Sequence, residues 1–183
     1  MKTSIHTAAG RALPSFAAAL LALQPIGLAL AQTMAAPPAA CQSAEYRQFD
    51  FWIGEWEVFL PGGKKAGDSR IESISAGCAL LENWSGNGGF SGKSLNSYDR
   101  DDKRWHQSWV DSSGSRLELA GGFADRRMVL ASAPAAAGSA PGAVQRIAWS
   151  VNDDGSVRQL WESSADGGKT WTVQFDGRYV RRK

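Results

Sequence analysis

From Trp52 to the end of the chain, apolar and polar residues alternate with a period of two, and no long stretch keeps a helical period. The alternation falls into short runs at about 52–60, 69–76, 78–85, 91–99, 104–111, 115–123, 127–132, 144–151, 156–163 and 170–182. Turn residues separate them: Pro61-Gly62-Gly63, Gly86-Asn87-Gly88-Gly89, Asp111 to Gly114, Asn152 to Gly155 and Asp166-Gly167-Gly168. Short strands joined by tight turns predict an all-β, antiparallel up-and-down meander of about ten strands. Closing it into a barrel removes both exposed edges. A sandwich is the alternative, but it needs longer crossovers than these turns allow. One short helical turn is expected across Ala44–Phe49, before the first strand. Residues 133–143, APAAAGSAPGA, read as a mobile hairpin tip.

Alternation also assigns faces. Trp52, Gly54, Trp56, Val58 and Leu60 share one side of the first strand, and Trp105, Gln107 and Trp109 share one side of the fifth. Gln145, Ile147, Trp149 and Val151 align on the eighth, and Val157, Gln159 and Trp161 on the ninth. On the last strand Trp171, Val173, Phe175, Tyr179 and Arg181 fall in line. With these sides inward, most of the eight tryptophans lie inside, beside neutral amides and one terminal cation, Arg181. Trp84, Trp109 and Trp161 beside Asn96, Gln107 and Gln159 form the expected ligand-binding set. Flat aromatic walls with a few neutral polar groups suit a small, uncharged, partly apolar molecule or a sugar ring.

The N-terminal segment reads differently. Lys2 and Arg11 precede an apolar, alanine- and leucine-rich run to Ala31, ending in Ala29-Leu30-Ala31. That is the layout of a secretory signal peptide over residues 1–31. A membrane anchor and a lipoprotein signal at Cys41 are the alternatives. Residues 32–44 read as a flexible leader and 45–183 as the barrel domain. Removing 1–31 takes two of the 20 basic residues and none of the 18 acidic ones, leaving a formally neutral chain. Such a chain lacks the basic field that nucleic acid or anionic lipid requires. The expectation is a periplasmic or secreted protein, with no nucleic-acid partner and no membrane insertion after signal removal. Cys41 and Cys78 are the only cysteines, and an even count in an exported protein predicts a disulfide.

Five stretches in order, FDFWIGEWEV, GCALLENW, SGKSLNSYD, WHQSWVD and WESSADGGKTW with FDGRY, resemble a bacterial family of exported proteins of unknown function. The resemblance covers nearly all of the mature chain and implies one small domain without implying an activity. More distantly, Gly54-Glu55-Trp56 is similar to the Gly-x-Trp signature of lipocalins and their calycin relatives. In that superfamily the tryptophan closes one barrel end and an arginine from the last strand packs over it. The resemblance therefore implies barrel closure by Gly54, Trp56 and Arg181.

Catalytic chemistry finds little support in the sequence. Ser164 to Trp171 fits the Asp-box and resembles sialidase and other propeller repeats. A propeller needs several four-stranded blades, so one box in this chain reads as a hairpin device. His106, alone outside the first 31 residues, has outward parity. It offers a haem alternative but no metal-ligating cluster. No Gly-x-Ser-x-Gly elbow is present. Glu82 shares a side with Trp84, so it is either a buried candidate acid or a partner for an arginine. No catalytic residue, metal or cofactor is assigned. The expected function is non-catalytic binding of a small ligand in the barrel. The alternatives are an envelope interaction module with a filled barrel and an enzyme on a small sugar-like substrate.

Overall fold

The computed structural model describes residues 40–133 and 143–183. The expected signal peptide, most of the expected leader and most of the expected 133–143 tip lie outside the described residues. The fold is all-β. Ten antiparallel strands run β1 Gly54–Phe59, β2 Lys65–Ile74, β3 Ala79–Gly86, β4 Ser91–Asp99, β5 Arg104–Asp111, β6 Arg116–Ala124, β7 Arg127–Ala131, β8 Val144–Val151, β9 Val157–Ser164 and β10 Thr172–Arg181. Each pairs with its neighbours in sequence, and β10 returns to β1 with Trp56 opposite Arg181 and Phe59 opposite Arg178. The sheet is therefore a closed up-and-down barrel with no free edge.

The first strand starts two residues later than the alternation predicts. Two 3-10 turns, Ala44–Arg47 and Asp50–Trp52, precede it, and Trp52 belongs to the second. Gly54 then opens the strand at φ 143°, a conformation that side chains rarely adopt. The second strand begins four residues earlier than expected, directly after the Gly62-Gly63 turn.

The two turns cross one end of the barrel and fill it. Phe49 stacks on Trp52 at 5.0 Å and meets Trp105 and Trp149 edge-on at 5.6 and 5.1 Å. All four rings are essentially inaccessible to solvent. Trp56 donates its Nε1–H to the Trp52 carbonyl at 2.8 Å, and Trp105 donates to Gln48 Oε1 at 3.3 Å. Outside this plug, the Arg181 guanidinium lies 4.4 Å over the Trp56 ring and donates to the Ile53 carbonyl. A side chain at Gly54 would collide with that guanidinium. The disulfide joins Cys41 to Cys78 at the connection between β2 and β3, and so ties the segment before the plug to the barrel. Arg47 adds a hydrogen bond to the Gly77 carbonyl in the same connection.

One predicted face is corrected. Trp171 and Val173 do not point inward with Phe175. The register between β10 and β9 shifts between Val173 and Phe175, so one extra residue reverses the parity. Val173 sits opposite Glu162, whose carboxylate pairs with Arg146 at 2.7 Å. Trp171 lies outside under Arg146, at 3.9 Å from the guanidinium.

Candidate functional site

Inward positions change size along the barrel. Near the plug they are Trp56, Leu80, Trp105, Leu119, Met128, Leu130, Trp149, Val157 and Tyr179, which form one packed cluster. Toward the other end, Gly67, Ser69, Gly92, Ser94 and Gly177 fall on the inner face, and the barrel opens into a cavity of about 780 Å³. A volume of that size lies within the ~300–1,000 Å³ range of small-molecule sites. Its walls are Trp84, Trp109, Trp161, Phe175, Leu117 and Ile147, with Phe90 at the mouth.

The glycines explain why large rings leave space. A Cβ at Gly92 would run into the indole of Trp109, and one at Gly177 into the ring of Phe175. Both rings therefore lie back over bare backbone, flat along the wall. Trp84 meets Phe175 edge-on at 5.9 Å across β3 and β10. The indole N–H groups are held to the wall, Trp109 to Asp111 Oδ2 at 3.1 Å and Trp161 to Gln145 Oε1 at 2.7 Å.

The inner end of the cavity is polar. Glu82 is 4% exposed, and its two carboxyl oxygens accept from Ser69 Oγ at 3.1 Å and Ser94 Oγ at 2.8 Å. Behind them, Asn96 Nδ2 donates to Ser94 Oγ at 2.9 Å, and Gln107 Nε2 donates to Asn96 Oδ1 at 2.8 Å. Every bond in this chain donates toward Glu82. On the far wall Gln159 Oε1 accepts from Trp149 Nε1 at 3.2 Å and from the Tyr179 hydroxyl. These bonds occupy the Gln107 amide N–H and the Gln159 carbonyl, leaving the Gln107 Oε1 acceptor and the Gln159 N–H donors for the cavity.

Among the described residues no cation pairs with Glu82. The arginine partner that its sequence context admits is absent, and serine hydroxyls take that place. Burial penalises the carboxylate and raises its pKa to about 7, against a smaller opposing effect of the Ser94 and Ser69 bonds. Tyr179 shifts the same way. Burial, and then the neighbouring Glu82, push its phenol well above the ordinary value.

Of the six ligand-binding residues expected from sequence, Trp84, Gln107, Trp109, Gln159 and Trp161 line this cavity. Asn96 does not. It is fully buried behind the floor, where its amide is spent on Ser94 and Gln107. Sequence reasoning passed over Ser69, Ser94 and the glycines of the wall. Their signal was a small residue at an inward position on strands whose other inward positions are large.

The remaining candidates lie elsewhere. His106 is on the outer face, with Nε2 2.8 Å from Asp102 Oδ2, so it offers no ligand to a haem inside the barrel. Asp99 joins this pair to bring three potential ligand atoms within 4.8 Å, a surface grouping that the sequence did not signal. The Asp-box is a closed hairpin. Asp166 accepts from the backbone N–H groups of Lys169 and Thr170, both at 2.9 Å, and from the Thr170 hydroxyl at 2.6 Å. These bonds hold its carboxyl far below the ordinary range. A groove of about 610 Å³ lies by the Pro61-Gly62-Gly63 turn, but its charged groups, Arg158, Asp176 and Arg178, all sit in ion pairs. No protein-family model matches the chain, and no curated protein matches it.

Proposed function

We propose that this protein is a non-catalytic binding barrel that holds a small, largely apolar, ring-bearing ligand in its open half. The observation that carries the reading is the cavity of about 780 Å³, aromatic on its walls and polar at its inner end. Apolar walls supply most of the affinity, at ~25 cal/mol per Å² of surface removed from water, and the floor fixes orientation. With Trp109 and Phe175 already laid back over Gly92 and Gly177, a ligand enters a preformed site. Such a site costs little ordering on binding. An exported location accords with the disulfide, which persists in oxidising compartments. The barrel closure by Trp56 and Arg181 accords with a lipocalin-like relationship.

Native mass spectrometry of protein purified gently from its source tests the reading. The expected result is a reproducible extra mass, released on denaturation and lost in the Trp84→Ala/Trp109→Ala double variant. A wild-type protein that is empty, and that also takes up no apolar ring compound, contradicts it. A second reading, an enzyme, rests on Glu82 alone, whose pKa near 7 suits proton transfer. Turnover lost in Glu82→Gln with ligand affinity retained would favour it.

A further inference from the structure

The aromatic cavity ends on a carboxyl group with no cationic partner among the described residues. We propose that the ligand class of this site is a small organic cation, an ammonium with an apolar body, whose charge sits against Glu82 between the indole walls. The inference rests on the binding reading above and narrows it, replacing the uncharged ligand expected from sequence.

Three observations carry it. First, Glu82 is inside the barrel and at the end of the cavity, 4% exposed, where an unpaired charge is costly. Serine hydroxyls hold one lone pair on each oxygen, and the remaining acceptor capacity is not taken up by any arginine or lysine among the described residues. Second, the donor chain from Gln107 through Asn96 and Ser94 runs toward Glu82. Three side chains are thus aligned to favour negative charge at one point. A site built for a neutral ligand would not need that alignment. Third, the walls are π faces. Trp84, Trp109 and Trp161 present rings whose negative quadrupole attracts a cation, and desolvation strengthens that attraction. Gln107 lines the same cavity and adds a carbonyl acceptor to it.

Proton linkage follows. An ammonium ligand favours the ionised carboxylate, so binding below neutral pH expels the proton from Glu82. The groups around Glu82 do not blur this signature. Ser69 on β2, Ser94 on β4 and Gln107 on β5 do not titrate. Tyr179 on β10 is held protonated by burial. Lys64, Lys65, Asp111 and Asp176 stand at the cavity rim. Hydrogen bonds hold Asp111 and Asp176 below the usual carboxylate range, and bonds to Glu57 and Asp68 hold Lys65 above its usual value.

The test compares two probes of nearly the same shape, phenyltrimethylammonium and its neutral isostere tert-butylbenzene, by tryptophan fluorescence titration of the full mature protein. At pH 8 the cation is expected to bind at least tenfold more tightly than the isostere. That advantage is expected to shrink at least fivefold at pH 5.5 and to vanish in Glu82→Gln. The isostere should bind Glu82→Gln at least as tightly as wild type, and far-UV circular dichroism shows that the variant is folded. Equal affinities of wild type for the two probes would overturn the cation class while leaving the binding cavity standing. Binding of neither probe would overturn both. A cation preference that survives in Glu82→Gln would overturn the role of the carboxylate.

Discussion

The two ends of this barrel are built from the same strands and nearly the same residue types, yet one is solid and the other hollow. At the plugged end each inward tryptophan meets another large side chain. Phe49, Trp52, Trp105 and Trp149 fill the lumen, and Arg181 covers Trp56 from outside. At the open end Trp109 lies over Gly92 and Phe175 over Gly177, and the lumen widens into the cavity. Tryptophan content therefore does not decide whether a small barrel is filled. The size of the inward residue on the adjacent strand does. The polar groups divide in the same way. At the plugged end the Trp56 and Trp105 indole N–H groups bind the Trp52 carbonyl and Gln48, whereas the open end organises a four-residue chain around one carboxyl group.

That contrast predicts a graded set of mutational effects. Trp149→Ala at the plugged end should cost ~3–5 kcal/mol, because a fully buried ring leaves a cavity that its neighbours cannot close. Urea denaturation checks it, and a loss below ~1 kcal/mol would mean that the plug is not solid. Replacing both cysteines with serine should cost roughly 3–4 kcal/mol for a bridge that spans 37 residues. Because this bridge holds the start of the plug, protection of the Trp105 indole N–H from exchange should fall with it.

At the open end the largest effect is electrostatic and depends on pH. The folded protein keeps the Glu82 proton to about pH 7, whereas the unfolded chain releases it near 4.5. The native state thus binds more protons across that window, and stability falls as pH rises through it. The contribution is fully present below pH 4.5 and lost above about pH 7, on the order of 3 kcal/mol for a shift of this size. Glu82→Gln should abolish the decline, so the variant unfolds at higher denaturant than wild type at pH 8 and at a similar concentration at pH 4. Identical pH profiles would mean that Glu82 is not buried as described. Arg181→Ala should cost ~0.5–2 kcal/mol through the lost stacking on Trp56. Trp109→Ala should cost least in stability, within about 1–2 kcal/mol, because one face of the half-buried ring already borders the cavity. It should still weaken ligand binding at least tenfold.

The fold was legible from the period-two pattern and from the spacing of turn residues, and strand boundaries moved by a few residues only. The misses share a cause. Alternation assigns a face only while the register is unbroken, so the irregularity between Val173 and Phe175 turned Trp171 to the outside without any change in the sequence pattern. Trp52 carries the parity of the first strand but sits in a 3-10 turn, and the strand starts only at Gly54 with its positive φ. The candidate site was legible to the level of which rings and amides face inward. What stayed hidden was depth along the lumen. Asn96 and Gln107 have the same inward parity, yet one lies behind the floor and the other on it. Depth depends on the stagger between strands, which no single strand encodes.

The division between a solid end and a ligand-binding end is most directly tested with protein carrying 5-fluorotryptophan at all eight positions. Fluorine spectra recorded with and without phenyltrimethylammonium or tert-butylbenzene, each resonance assigned by single substitution, report the two ends separately. The account predicts shifts at Trp84, Trp109 and Trp161, with Trp52, Trp56, Trp105, Trp149 and the external Trp171 unmoved. Shifts confined to the plugged end or to Trp171, or no shift at any position, would contradict it.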